Sequence, residues 1–243
     1  MKKCALITGA SGGIGSEIAL RLASDGFSIA ACYCSDENGI RELEEKLSQS
    51  GAEYRIYKAD VSDYNSIKEI FADATDYFGG VSVLVNNAGM AQQKLFTDIT
   101  EQEFDRITAV NFKGVFNCCK CAVPFMVSQK SGKIINFSSM WGVCGASCET
   151  VYSATKAAVI GLTKALAREL APSNIQVNCV APGAIDTKMN NNLSEEDKAA
   201  FAEEIPMGRF GSAREIAGVV SFLAGEDSNY VTAQVITADG GLI

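Results

Sequence analysis

Seven short apolar runs, separated by longer stretches of helical periodicity, constrain this chain more than any other feature. They are CALIT at 4–8, SIAACY at 28–33, YRIYKAD at 54–60, VSVLVNN at 81–87, KIINFSS at 133–139, IQVNCVAP at 175–182 and QVITAD at 234–239. Runs that are mostly apolar, rather than alternating apolar and polar, predict strands buried on both faces. Between them, stretches such as GSEIALRLASDG and GIRELEEKLSQSG space their apolar residues near every 3.6 positions and stop at glycine. Strand and helix in alternation predict an α/β fold, a doubly wound parallel sheet of about seven strands with helices on both faces. A length of 243 residues suits one domain over 1–243, and no Pro-rich or low-complexity linker divides it.

The first apolar run leads straight into LITGASGGIG, residues 6–15, which turns on Gly9, Gly13 and Gly15 and enters a helix. Glycine lets backbone N–H groups approach a pyrophosphate, and a helix N-terminus favours its charge. At the first strand-to-helix turn this spacing predicts a dinucleotide loop in preference to an ordinary tight turn. A second feature is VYSATK, where Tyr152 and Lys156 are one helical turn apart and share a face. A phenol with a pKa near 10 is a poor acid–base group at neutral pH, and nearby positive charge would bring it toward the working range. Taken alone, such a pair reads as packing beside a solvated lysine.

Composition narrows the chemistry. The net charge of −8 argues against nucleic acid as a partner, because phosphate binding needs clustered Lys and Arg. There is no His, and the nine Cys form an odd set, as expected of reduced thiols in a cytoplasm. Cys118 and Cys121 have the spacing of a metal half-site without a second half, so no metal is expected and they read as small apolar packing. The apolar part of MKKCALITGA is too short to span a membrane. The alternation breaks only at 184–208, AIDTKMNNNLSEEDKAAFAEEIPMG, which is polar and carries a helical piece near 194–204. An insertion after a strand, where such folds place ligands, predicts a substrate lid.

Several stretches, in order, resemble the short-chain dehydrogenase/reductases: TGASGGIG, ADVSD at 59–63, NNAG at 86–89, Asn111 in AVNFKG, Ser139, Tyr152 and Lys156 in Y-x-x-x-K, and APG at 181–183. The resemblance covers that family's core from end to end and implies a Rossmann-type fold and a nicotinamide cofactor. It implies that Tyr152 donates a proton to a carbonyl oxygen, that Lys156 bonds the nicotinamide ribose, that Ser139 holds the substrate oxygen and that Asn111 supports a water chain from Lys156. Cofactor contacts carried over in the same way are Gly9, Ser11, Gly13, Ile14, Gly15, Cys34, Asp60, Val61, Asn87, Ala88, Gly89, Tyr152, Lys156, Pro182, Gly183, Ile185 and Thr187. An acid at the end of the second strand would repel a 2′-phosphate, but Tyr33, Cys34 and Ser35 stand there. NADP is therefore expected over NAD, although Gly12 occupies the loop position where NADP-using relatives often carry a base.

The broadest match is to the 3-oxoacyl-[acyl-carrier-protein] reductases of fatty-acid synthesis and extends through residues 205–241. It implies a ketone carried on acyl carrier protein and a homotetramer paired through helices near 102–127 and 152–171. Lys130 and Lys133 would meet the acidic carrier, with Ser173 where a second base is common. A narrower likeness, over SSMWGVCGASCETVYSATKAA at 138–158, is to bacterial relatives thought to reduce a ketone on elongation factor P, with Trp141 and Cys148 beside the substrate. A non-catalytic dinucleotide-binding scaffold is the contrary reading, disfavoured because Ser139, Tyr152 and Lys156 are all present.

Overall fold

The computed structural model describes residues 3–187 and 194–243. Seven parallel strands form one sheet: β1 (Cys4–Thr8), β2 (Ser28–Tyr33), β3 (Tyr54–Lys58), β4 (Val83–Asn86), β5 (Gly132–Phe137), β6 (Ile175–Pro182) and β9 (Val235–Ala238), with β7 (Ile185–Asp186) and β8 (Gly211–Ser212) pairing apart from it. The spatial order is β3-β2-β1-β4-β5-β6-β9. All seven expected strands are present. Two end two residues early for local reasons: the Asp60 carboxylate accepts from the Ser62 backbone at 2.9 Å and turns the chain after β3, and Ser139 leaves β5 to cap the following helix.

Helices α1 (Gly13–Ser24), α2 (Glu37–Ser50) and α9 (Ala213–Ala224) cover one face; α3 (Tyr64–Phe78), α5 (Gly114–Gln129) and α7 (Thr150–Leu170) cover the other. Successive residues of β1 feed opposite layers. Cys4 and Leu6 pack with Ile67, Phe71, Met126 and Val159, whereas Ala5 and Ile7 pack with Ile18, Leu22, Leu43 and Val220. Two-sided burial explains why the strand runs lack polar alternation. Cys118 lies in the first of these layers and Cys121 packs against it, matching the apolar reading of that pair.

The remaining helices are α4 (Glu101–Thr108), α6 (Met140–Cys144) and α8 (Glu195–Glu204). A π-helical stretch, Ala109–Lys113, joins α4 to α5 and contains Asn111. Within the expected lid, 185–186 form a strand, α8 follows, and Ile205 is buried; residues 188–193 of that segment lie outside the described residues. No helix among the described residues is long and apolar enough to cross a membrane.

Candidate active site

The chain winds outward from β1 through β2 to β3, then returns to place β4 on the other side of β1. A crevice opens at the C-terminal ends of β1 and β4, the topological switch point. Here the two turns are tied together: the Ala88 backbone donates to Thr8 Oγ1 at 3.0 Å, and Asn87 Nδ2 donates to the Thr8 and Gly9 carbonyls at 3.1 and 3.0 Å. Gly9 holds φ of 66°, and a Cβ there would stand 2.9 Å from Ala88 Cα. A Cβ on Gly15 would strike the Gly9 carbonyl oxygen, and one on Gly13 would come within 2.7 Å of Thr187 Cγ2. Gly12, by contrast, borders open space. The N-terminus of α1 thus presents bare backbone at a cradle that side chains would fill, which fits the pyrophosphate of a dinucleotide.

Across the crevice, β5 delivers Ser138 and Ser139. Ser139 is extended, and its Oγ accepts from the Trp141 backbone at 3.2 Å as the cap of α6. Helix α7 crosses behind it and turns Tyr152, Thr155 and Lys156 inward. Lys156 is 4% exposed; its Nζ donates to the Phe137 carbonyl at 3.0 Å and lies 5.7 Å from the centre of the Tyr152 ring. The Ser139 hydroxyl lies close enough to the Tyr152 phenol to lower its pKa. Asn111 is fully buried, with Nδ2 donating to the Met90 carbonyl at 2.9 Å and to Thr155 Oγ1 at 3.2 Å, while Oδ1 accepts from the Met90 backbone at 2.9 Å. A Cβ on Gly89 would stand 3.2 Å from Lys156 Nζ and 3.4 Å from Asn111 Oδ1, so both groups face one small space above that glycine.

Burial sets the charge states. It pushes the Tyr152 phenol up to about 12, against the lowering effect of the Ser139 hydroxyl and with a further raising effect from Glu149. It pulls the Lys156 ammonium down to about 8, with a small opposing effect from Cys179. The expectation that Lys156 draws the phenol toward neutrality is corrected for the protein alone: desolvation is the largest effect on Tyr152, and the ammonium lies against the ring.

The remaining expected contacts surround this crevice. Ser11 and Ile14 belong to the glycine turn, and Cys34 is exposed just beyond β2. Burial would raise the Asp60 carboxyl, but hydrogen bonds from Ser62 and from Arg106 Nη1 at 2.8 Å hold it below its ordinary range. Val61 is buried, and its carbonyl accepts from Asn117 Nδ2 at 2.9 Å. Pro182 ends β6, the Gly183 backbone donates to the Ala238 carbonyl at 3.0 Å, Ile185 is buried in β7, and Thr187 overhangs Gly13. Trp141 lies in the α6 turn capped by Ser139; Cys148 adopts φ of 62°, and its carbonyl accepts from the Lys94 backbone at 2.7 Å.

One expectation fails. Lys133 is no docking base, because its Nζ is held by the Gly225 carbonyl at 2.6 Å and Ser228 Oγ at 2.7 Å, and burial lowers its pKa. Lys130 and Lys133 bracket the N-terminal end of β5, opposite the end that carries Ser139. Other residues escaped sequence reasoning. Ser138 Oγ donates to the Lys156 carbonyl at 2.9 Å and anchors α7, Thr155 holds Asn111, and Gly142 lets α6 pack on Lys156. Adjacency to Ser139 and Lys156 was the only signal these had.

A family model described as Enoyl-(Acyl carrier protein) reductase matches residues 9–243. The chain is similar to a protein named 3-oxoacyl-[acyl-carrier-protein] reductase FabG from Staphylococcus epidermidis, with 44% identity covering 100% of this chain and 99% of that protein. Proteins of the same name from Thermotoga maritima and Aquifex aeolicus are 42% and 40% identical, each match covering 99% of this chain and 98% and 97% of the relative. Glycine cradle, tyrosine–lysine pair and full-length likeness agree: the chain belongs to the short-chain dehydrogenase/reductases, oxidoreductases that act on a carbonyl or hydroxyl group with a nicotinamide dinucleotide.

Proposed function

We propose that this protein uses NADPH to reduce the ketone of a 3-oxoacyl thioester on acyl carrier protein; its full-length relatives are named 3-oxoacyl-[acyl-carrier-protein] reductase. The observation that carries the reading is the pair of neighbouring hydroxyls, Ser139 and Tyr152, beside the dinucleotide cradle. Two hydroxyls can grip a single carbonyl oxygen, which favours C=O reduction over the C=C reduction that the matched family's description names.

Gly9, Ser11, Gly13, Ile14 and Gly15 would hold the pyrophosphate, and Cys34, Asp60, Val61, Asn87, Ala88 and Gly89 the adenosine side and ribose. Pro182, Gly183, Ile185 and Thr187 would hold the carboxamide. Bound there, the dinucleotide supplies the hydride. Ser139 Oγ orients the substrate oxygen, and Tyr152 Oη passes its proton to that oxygen as negative charge develops. Lys156 is a compact positive charge beneath the phenol and a donor to the ribose. Asn111, pinned at both ends of its amide, borders the space above Gly89 through which Lys156 would exchange protons with solvent.

In this reading the chain is a cytoplasmic homotetramer. Phe104 and Phe116, exposed on α4 and α5, and Phe222 and Tyr230, exposed near the C-terminus, are surfaces such an assembly would cover. The segment 184–208 acts as a lid over the substrate.

Mixing the protein with NADPH and a short 3-oxoacyl thioester and following the reduced-nicotinamide absorbance tests the reading. Oxidation of NADPH is expected, with a matched enoyl thioester left untouched. No turnover of the thioester, with turnover of a ketone-bearing elongation factor P, would replace this substrate with the second one.

A further inference from the structure

The end of β2 carries a charge cluster that the site described above leaves unused. Tyr33 and Lys58 are register partners at the ends of β2 and β3. Glu37, the first residue of α2, bridges them: Tyr33 Oη donates to Glu37 Oε2 at 3.0 Å, Lys58 Nζ donates to Glu37 Oε1 at 2.5 Å, and the ammonium lies 5.8 Å from the Tyr33 ring centre. The Lys58 and Glu37 side chains are 61% and 44% exposed, and Arg41 adds positive charge from the next turn of α2.

This cluster adjoins the dinucleotide cradle. The Ala10 backbone donates to the Cys32 carbonyl at 2.9 Å, and a Cβ on Gly39 would strike the Ser11 carbonyl, so the start of α2 is packed directly on the glycine turn. A dinucleotide with its pyrophosphate at the N-terminus of α1 would extend its adenosine past this edge. Asp36 is committed to capping α2 through the Gly39 backbone at 2.9 Å. Gly12, facing open space, offers no cation. Lys58 is then the ammonium best placed for a phosphate at this corner.

We propose that Lys58 selects NADP(H) over NAD(H), with Glu37 holding the ammonium at the end of β2 and yielding it to the 2′-phosphate. The inference rests on the NADPH reading above and names the group responsible for it. The Glu37–Lys58 pair is solvent-exposed and hence weakly held, so a phosphate carrying close to two charges competes for the lysine. Glu37 also opposes that phosphate, which makes selectivity adjustable at one carboxylate. No bond to carbon is made or broken.

The test is fluorescence titration of the wild-type protein, Lys58→Ala and Glu37→Gln with NADPH and with NADH at two salt concentrations. Lys58→Ala is expected to weaken NADPH about tenfold, as for loss of one charge-assisted contact, and to leave NADH within about twofold. Glu37→Gln is expected to tighten NADPH several-fold, and the NADPH preference of the wild type is expected to shrink with salt. A wild type that prefers NADH overturns the NADPH reading and this inference together. A wild type that prefers NADPH and keeps its full preference in Lys58→Ala overturns the inference alone, as does an equal loss for both dinucleotides.

Discussion

Lys156 is buried at a cost, and the cost defines a pH dependence. Its ammonium is lowered to about 8, whereas the Tyr152 phenol keeps its proton up to about 12. In the direction of ketone reduction the phenol is thus in its donating form throughout the working range, and the group lost as pH rises is the positive charge beneath it. We expect kcat/KM for reduction to be flat below about pH 8 and to fall about tenfold per unit above it. A pH–rate profile still flat at about pH 9.5 would remove Lys156 from the account. Spacing and resemblance pointed to Ser139, Tyr152, Lys156 and Asn111 as the candidate set. They could not give the balance of burial against charge, because the carbonyl that holds Lys156 belongs to Phe137, nineteen positions earlier. Ser138 shows the same limit: its hydroxyl points back into α7, and nothing local to 138–139 distinguishes the hydroxyl that faces the crevice from the one that does not.

At the scale of elements, the turn from β1 to α1 is where sequence and structure agree most closely. Each constrained glycine faces a definite obstacle: Ala88 for Gly9, Thr187 for Gly13 and the Gly9 carbonyl for Gly15. Gly12 faces none. Gly15→Ala is expected to destabilise the fold by several kcal/mol, on the order of a strongly overpacked core site, and to weaken dinucleotide binding, while Gly12→Ala leaves both nearly unchanged. Thermal melts and dinucleotide titrations of the two variants check this, and equal behaviour would refute it. The strands were legible because two-sided burial enriches them in apolar residues. Their ends were not, since β3 is stopped by the Asx turn at Asp60 and β5 by the cap at Ser139. Neither was the π-helical stretch around Asn111, whose apolar spacing resembles that of an ordinary helix. It is fixed instead by the paired bonds between Asn111 and Met90, on segments 21 residues apart.

For the whole molecule, cysteine serves as core packing, with consequences at high pH. Burial pushes the thiols of Cys4, Cys32 and Cys119 up to about 12 and that of Cys179 to about 11, and raises Cys118 well above its ordinary value. A thiol raised in the folded state contributes stability that is complete below its unfolded value of 9.0 and is lost as pH rises toward the folded value. Between those two values each raised thiol removes about 1.4 kcal/mol per pH unit, and Lys156, shifted the other way, returns a similar amount above about pH 8. Between pH 8 and 10 the melting temperature is expected to fall, since the five losses outweigh the one gain. Constant melting across that range would contradict the packing role. These five lie on strands and one helix within a single core layer, so the redox reading of the sequence and the packing reading of the structure concern the same residues. The scaffold they fill brings the end of β5 and the inward face of α7 against the glycine turn of β1, and the central claim is that the Tyr152 hydroxyl is the proton donor at that meeting point. The most direct measurement is NADPH oxidation with a 3-oxoacyl thioester by Tyr152→Phe, beside a titration of its NADPH affinity. The account predicts a loss in kcat of about a thousandfold with affinity within about twofold of wild type; turnover that survives the loss of the hydroxyl would contradict it.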